Sequence, residues 1–207
     1  MDPTLYVILD RAGAGGRDLG ELLDAVIAGG ARMVQLREKS WPSGRLLPLA
    51  ERLAARCRQA GVTFVMNDRV DLALAVGADG VHLGQEDLPP RLARPMLRSS
   101  MILGVSTHSI EQARRAQAAG ADYVAVGPVY ATASKADALA PRGLDLVRAV
   151  RAVVTCPLVA IGGITPATAA AVLAAGADTV AMIGALVRAA DPEATVRETL
   201  ARLDLRA

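Results

Sequence analysis

Short apolar runs and amphipathic stretches alternate along the whole chain. The runs are Leu5–Asp10, Met33–Arg37, Thr63–Asn67, Gly80–Gly84, Ile102–Ser106, Tyr123–Gly127, Pro157–Gly162 and Thr179–Ile183. Continuous apolar runs of this length are the pattern of strands buried on both faces. The stretches between them carry helical stripes: Leu22, Leu23 and Val26; Leu46, Leu49, Leu53 and Cys57; Ile110, Ala113, Ala116 and Gln117; Leu144, Val147, Val150 and Val154. Two further helices are expected near Val70–Val76 and from about Thr165-Pro166.

A repeat marks the joints between the two kinds of segment. Val76-Gly77-Ala78-Asp79, Ala119-Gly120-Ala121-Asp122 and Ala175-Gly176-Ala177-Asp178 share one pattern, and Ala28-Gly29-Gly30-Ala31 is a variant without the Asp. The glycine supplies the left-handed residue that ends a helix, and the apolar run that follows supplies the next strand. The chain therefore reads as βα repeated eight times. Eight such units in 207 residues favour closure into a (β/α)8 TIM barrel, an α/β fold of eight parallel strands, over an open doubly wound sheet. One domain over residues 1–207 is expected.

Composition narrows the class. With 52% hydrophobic and 21% charged residues the chain is globular, and 23 basic against 21 acidic side chains give a net charge of +2. That balance argues against a nucleic-acid or membrane-surface partner. Aromatics make up 2%, so the core is aliphatic and base-stacking platforms are not expected. Residues 152–177 carry no charge, but Pro157, Gly162, Gly163 and Pro166 break them into strand, loop and helix rather than a membrane span. The segment Met1-Asp2-Pro3-Thr4-Leu5-Tyr6 lacks a basic region followed by an apolar core. A cytoplasmic location is expected, which suits Cys57 and Cys156 as two buried thiols without metal-ligand spacing.

In a barrel the carboxyl ends of the strands form the active face. Polar residues collect there: Gln35-Leu36-Arg37-Glu38-Lys39, Asn67-Asp68, His82 through Asp87, Ser106-Thr107-His108, and Gly127 through Lys135, with Gly162-Gly163 and Ile183-Gly184 after the last two strands. Gln35, Arg37 and Lys39 alternate, so all three point into the mouth. Two inward cations call for a polyanion such as a phosphate or diphosphate. Asp68 and Asp87 beside them suit Mg²⁺, which takes one or two protein carboxylates; taken singly, each would be a helix N-cap. Glycines after the seventh and eighth strands make a second, backbone-built anion site. Neither a Ser/His/Asp set nor a partnered Cys nucleophile is evident. His82 and His108 read as structural before catalytic, and Lys135 as a Schiff base is left open by the spacing.

Taken together, the segments Gln35–Lys39, Asn67-Asp68, Gly80–Asp87, Gly104–His108, Gly127–Lys135 and Ala160–Ile164 resemble the thiamine phosphate synthase family over nearly the whole chain. The resemblance implies a transferase. It would join 4-amino-2-methyl-5-(diphosphooxymethyl)pyrimidine to a thiazole phosphate, or to its carboxylated form, and release diphosphate. It further implies that Gln35, Arg37, Lys39 and Asn67 bind the diphosphate, that Asp68 and Asp87 hold Mg²⁺, and that Ser106 and Lys135 reach the leaving group. Thr132, Ser134, Gly163, Ile183 and Gly184 would take the thiazole phosphate. The family mechanism is dissociative, with Arg37, Lys39 and Lys135 stabilising charge on the departing diphosphate.

Two positions depart from the family pattern. Gly184 stands where the family usually has Ser, and Thr165 where it often has Asn. The alternative functions are a TenI-like thiazole tautomerase, for which Arg37, Lys39, Asp68 and Asp87 would lack an anion to meet, and a catalytically silent binding protein of the thiamine pathway. The sequence does not decide between a monomer and a homodimer.

Overall fold

A computed structural model describes residues 4–132 and 140–204 of the chain. Eight parallel strands, each hydrogen-bonded to the next in sequence and β8 to β1, close a barrel. The strands are β1 (Leu5–Asp10), β2 (Met33–Arg37), β3 (Thr63–Asn67), β4 (Gly80–Leu83), β5 (Ile102–Thr107), β6 (Tyr123–Val126), β7 (Leu158–Ile161) and β8 (Thr179–Met182). Around them lie α1 (Leu19–Ala28), α2 (Ser43–Ala60), α3 (Val70–Ala75), α4 (Pro90–Ala93), α5 (Ile110–Ala118), α6 (Gly143–Arg151), α7 (Ala169–Ala174), α8 (Gly184–Val187) and α9 (Pro192–Asp204). Every expected strand forms, with ends that differ by a residue at most.

The repeat does two jobs. Gly30, Gly77, Gly120 and Gly176 all have φ between 64° and 108°, the left-handed turn that ends a helix where a side chain would be strained. The following Asp reaches sideways to the preceding strand: Asp79 accepts from Phe64 N–H at 2.8 Å, Asp122 from Leu103 N–H and Asp178 from Leu158 N–H, each at 2.7 Å. These carboxylates therefore pin β3 to β4, β5 to β6 and β7 to β8 at the amino end of the barrel. Arg94 and Arg151 hold two of them in place.

Some helices differ from the sequence pattern. The connection after β4 is only one turn of α-helix followed by a 3₁₀ turn at Arg94–Met96, because Pro89, Pro90 and Pro95 remove backbone donors. A turn closed by Thr165 N–H on Thr168 Oγ1 (3.0 Å) delays α7 until Ala169, later than the expected Thr165-Pro166. Helix α2 buries Leu46, Ala50, Leu53 and Cys57, with Leu49 at the margin. In α5 Ile110 is exposed, and Gln117 caps the turn at Thr155-Cys156. Cys57 is buried and its thiol is pushed up to about 12 by burial, whereas Cys156, expected to be buried, is only half-buried. Among the described residues no helix is long and apolar enough to cross a membrane.

Within the aliphatic barrel two aromatics stand out. Tyr6 and Tyr123 are fully buried, with ring centroids 6.1 Å apart and planes at 85°. Gly104 lies opposite Tyr123 in register, and a Cβ there would overlap the tyrosine ring. The glycine is thus the space that admits the side chain into the barrel.

Candidate active site

The carboxyl ends of β1–β4 bring the charged residues together. Arg37 and Asp10 are register partners across β2 and β1, and the guanidinium meets the carboxylate at 2.6 Å. Lys39 meets Asp68 at 3.0 Å. Both inward cations thus already have protein counter-charges, so the expectation that a polyanion alone must neutralise them is corrected. Asp10 carried no sequence signal. It ends an apolar strand, and only closure of the barrel shows what it faces.

Glu38 points away from the mouth and organises the loop after β2. It accepts from Arg11, from the backbone and hydroxyl of Ser40, and from Trp41 N–H. Burial alone would raise its pKa, but the bonds from Ser40 and Arg11 outweigh that and hold the carboxyl below the usual range. Arg11 and Arg45 both lie over the Trp41 ring, at 4.8 and 3.8 Å from its centroid.

Asp68 has φ 61°, the only positive value outside glycine among the described residues. Arg69 N–H reaches Asn67 C=O at 2.7 Å across it, a rare and strained γ-turn. Neither Asp68 nor Asp87 is a helix N-cap. The caps are Arg69 and Pro89, and Asp87 instead accepts from Gly84 N–H at 2.7 Å. Burial raises the Asp68 pKa, and the Asp87 carboxylate beside it raises it further, against the pull of Lys39. Two hard oxygen donors held that close are a fitting donor set for Mg²⁺, which completes its shell with water and phosphate oxygens. Next to them the buried Asn67 Nδ2 has no hydrogen-bond partner among the described residues. Such an orphan donor calls for an acceptor.

A relay of hydrogen bonds crosses the barrel below the mouth. Gln35 Nε2 donates to the Tyr6 hydroxyl at 2.7 Å, Tyr6 and Tyr123 hydroxyls are 3.1 Å apart, and Tyr123 meets His82 Nδ1 at 2.8 Å. His82 Nε2 then meets Ser106 Oγ at 2.8 Å. Gln35 Nε2 donates into the relay, and beyond it each hydroxyl and each His82 ring nitrogen serves as donor or acceptor according to the tautomer. Burial pushes both tyrosine pKa values up, so the two hydroxyls keep their protons. His108 binds Gly127 C=O at 2.7 Å and supports the β6 loop.

On the β5–β8 side lies a cavity of about 400 Å³ bordered by Ser106, Thr132, Gly163, Ile183, Gly184 and Arg188. The mouth thus has two halves, one charged and one mostly apolar, and Ser106 stands where they meet. Arg188, one helical turn beyond Gly184, had no sequence signal. Ser134 and Lys135 lie outside the described residues.

Residues 5–186 match the family model for thiamine monophosphate synthase. The chain belongs to that family. It is 50% identical over 193 residues to a thiamine-phosphate synthase of Moorella thermoacetica, covering 93% of this chain and 92% of the relative. A thiamine-phosphate synthase of Chloroflexus aurantiacus is 48% identical, with 96% and 91% covered. Among solved structures, thiamine phosphate pyrophosphorylase from Pyrococcus furiosus superposes with a TM-score of 0.88 at 35% identity, covering 98% of this chain and 96% of that one. The activity is that of a thiamine-phosphate synthase, a transferase.

Proposed function

We propose that the two halves of the mouth divide the two substrates. The pyrimidine diphosphate takes the charged half, with its diphosphate against Arg37, Lys39 and the open Asn67 amide, and the thiazole phosphate takes the cavity between β5 and β8. Gln35 is two residues deeper on its strand than Arg37, about 7 Å further into the barrel. We therefore assign Gln35 to the pyrimidine ring in preference to the diphosphate. Lys135 and Ser134 keep the roles that the resemblance implies, on the diphosphate and the thiazole phosphate.

Asp68 and Asp87 would hold Mg²⁺, and when bound it supplies positive charge against the diphosphate. The chain's own groups do the rest. Arg37 and Lys39 stabilise charge that grows on the leaving group, an effect strongest where water is excluded. Ser106, held by His82, sets its hydroxyl at the edge of the cavity, beside the reacting end. No general base is needed, because the aminopyrimidine itself expels diphosphate and the thiazole nitrogen captures the resulting cation. The cavity holds that nitrogen in line, which replaces a bimolecular encounter with a positioned one.

The observation that carries this reading is the Asp68–Asp87 pair beside Lys39. Mixing both substrates with Mg²⁺ or with EDTA tests it, with wild type and Asp87→Ala followed for diphosphate and thiamine phosphate. Metal-dependent product that collapses in the variant is expected. Full activity of Asp87→Ala, or turnover in EDTA, would remove the metal assignment.

A further inference from the structure

We propose that Arg188 is a side-chain receptor for the phosphate monoester of the thiazole substrate, admitted to the cavity by the missing side chain of Gly184. The inference rests on the assignment of that substrate to the β5–β8 half of the mouth.

Three observations lead to it. First, among the described residues that line the cavity Arg188 is the one Lys or Arg. A phosphate monoester is close to a dianion at neutral pH, and backbone N–H groups with the Thr132 and Ser134 hydroxyls bring no full positive charge to meet it. Second, the Arg188 guanidinium has no hydrogen bond or ion pair among the described residues. By contrast Arg37, Arg94 and Arg151 each hold a carboxylate. Its planar fork of donors matches two phosphate oxygens at once. Third, the guanidinium folds back against Gly184, and a Cβ built at Gly184 would overlap it. The backbone there is not left-handed, so the glycine is not needed for the turn. What it provides is room for the arginine to lie beside the Ile183-Gly184 backbone.

The geometry makes Gly184 and Arg188 one unit. Any side chain at 184 displaces the guanidinium, and because that group ends a flexible chain the displacement leaves the fold intact. Loss of either residue should therefore have the same consequence, and loss of both no more than loss of one.

The test uses wild type, Arg188→Gln, Gly184→Ala and the double variant. Calorimetric titration with thiazole phosphate, and with the same thiazole as its free alcohol, is combined with steady-state KM for both substrates. Arg188→Gln is expected to weaken thiazole phosphate binding about tenfold or more, with Gly184→Ala close behind and the double variant no worse. Arg188→Lys should recover part of the loss. Binding of the alcohol and KM for the pyrimidine diphosphate should be unchanged across the set. Thiazole phosphate binding within twofold of wild type in Arg188→Gln, or an equal loss for the alcohol, would overturn the inference while a wild type that still turns over leaves the proposed function standing. Conversely, if the wild type forms no thiamine phosphate but the binding difference persists, the arginine site stands and the proposed function falls.

Discussion

The hydroxyls of Tyr6 and Tyr123 lie 3.1 Å apart inside the barrel, although 117 residues separate them in the chain. They bridge β1 and β6, which are not neighbours in the sheet, and so couple Gln35 on one side of the mouth to His82 and Ser106 on the other. A chain of single-proton donors has one direction at a time. The proton order along it links the Gln35 amide to the Ser106 hydroxyl.

Tyr123→Phe breaks this relay in the middle. The Tyr6 hydroxyl and His82 Nδ1 each lose a buried partner, so the variant should lose about 1–3 kcal/mol of stability. The ring still fills the space beside Gly104, which keeps the fold. Because Tyr6→Phe removes the same link, the double variant should cost less than the sum of the two, which denaturant titration of the cycle measures.

Asp68 is strained in its backbone and crowded by Asp87. A carboxyl whose folded pKa is raised opposes folding at every pH above its unfolded value of about 3.9. Asp68→Asn removes that charge, and Asn tolerates the left-handed conformation. The half-exposed Lys39 pair that it breaks is worth little. The variant should therefore melt at a higher temperature than wild type in EDTA at pH 7, yet gain nothing from Mg²⁺ and lose turnover. A lower melting point in EDTA would show that Asp68 stabilises the fold as it stands.

The barrel was legible because its signal repeats: four helix-to-strand joints share one glycine, and eight apolar runs are spaced by amphipathic stretches. The charged half of the mouth was legible because Arg37, Lys39, Asn67, Asp68 and Asp87 sit at or just beyond the carboxyl ends of neighbouring strands, which a closed barrel gathers on one face. Asp10 was not, since its partner Arg37 is set by register between strands. Tyr6 and Tyr123 looked like core aromatics, and their joint role depends on closure of the barrel. Arg188 lies one helical turn beyond Gly184 among apolar residues, so only the packed position of its side chain reveals it. The expected fourth helix fell short because three prolines within seven residues of Pro89 limit it to a single turn.

Asp122 sits at the end of the barrel opposite the active face. It accepts from Leu103 N–H at 2.7 Å and from Arg94 at 2.8 Å. Asp122→Ala leaves that strand N–H without its acceptor and should cost about 1–3 kcal/mol. Both KM values and kcat should match wild type at a temperature where the variant is folded. A change in KM with unchanged stability would contradict a purely architectural role for the repeated Asp.

Glu38 offers a test by pH. Its folded pKa is held below the ordinary glutamate value of about 4.3. The sign follows from linkage: the carboxylate adds stability above that unfolded value, and the contribution fades as pH falls through the lower folded value. Glu38→Gln keeps the shape but loses the charge that binds Arg11 and the two Ser40 donors. The variant should be less stable than wild type at pH 7 by about 1.5–3 kcal/mol, the range for bonds to a charged group. Urea titrations repeated down the pH scale should then converge, because acid strips the same charge from the wild type. A difference that stayed constant down to pH 3 would assign the loss to packing of the loop, and the Arg11–Glu38 pair would not be what orders the chain beside Arg37 and Lys39.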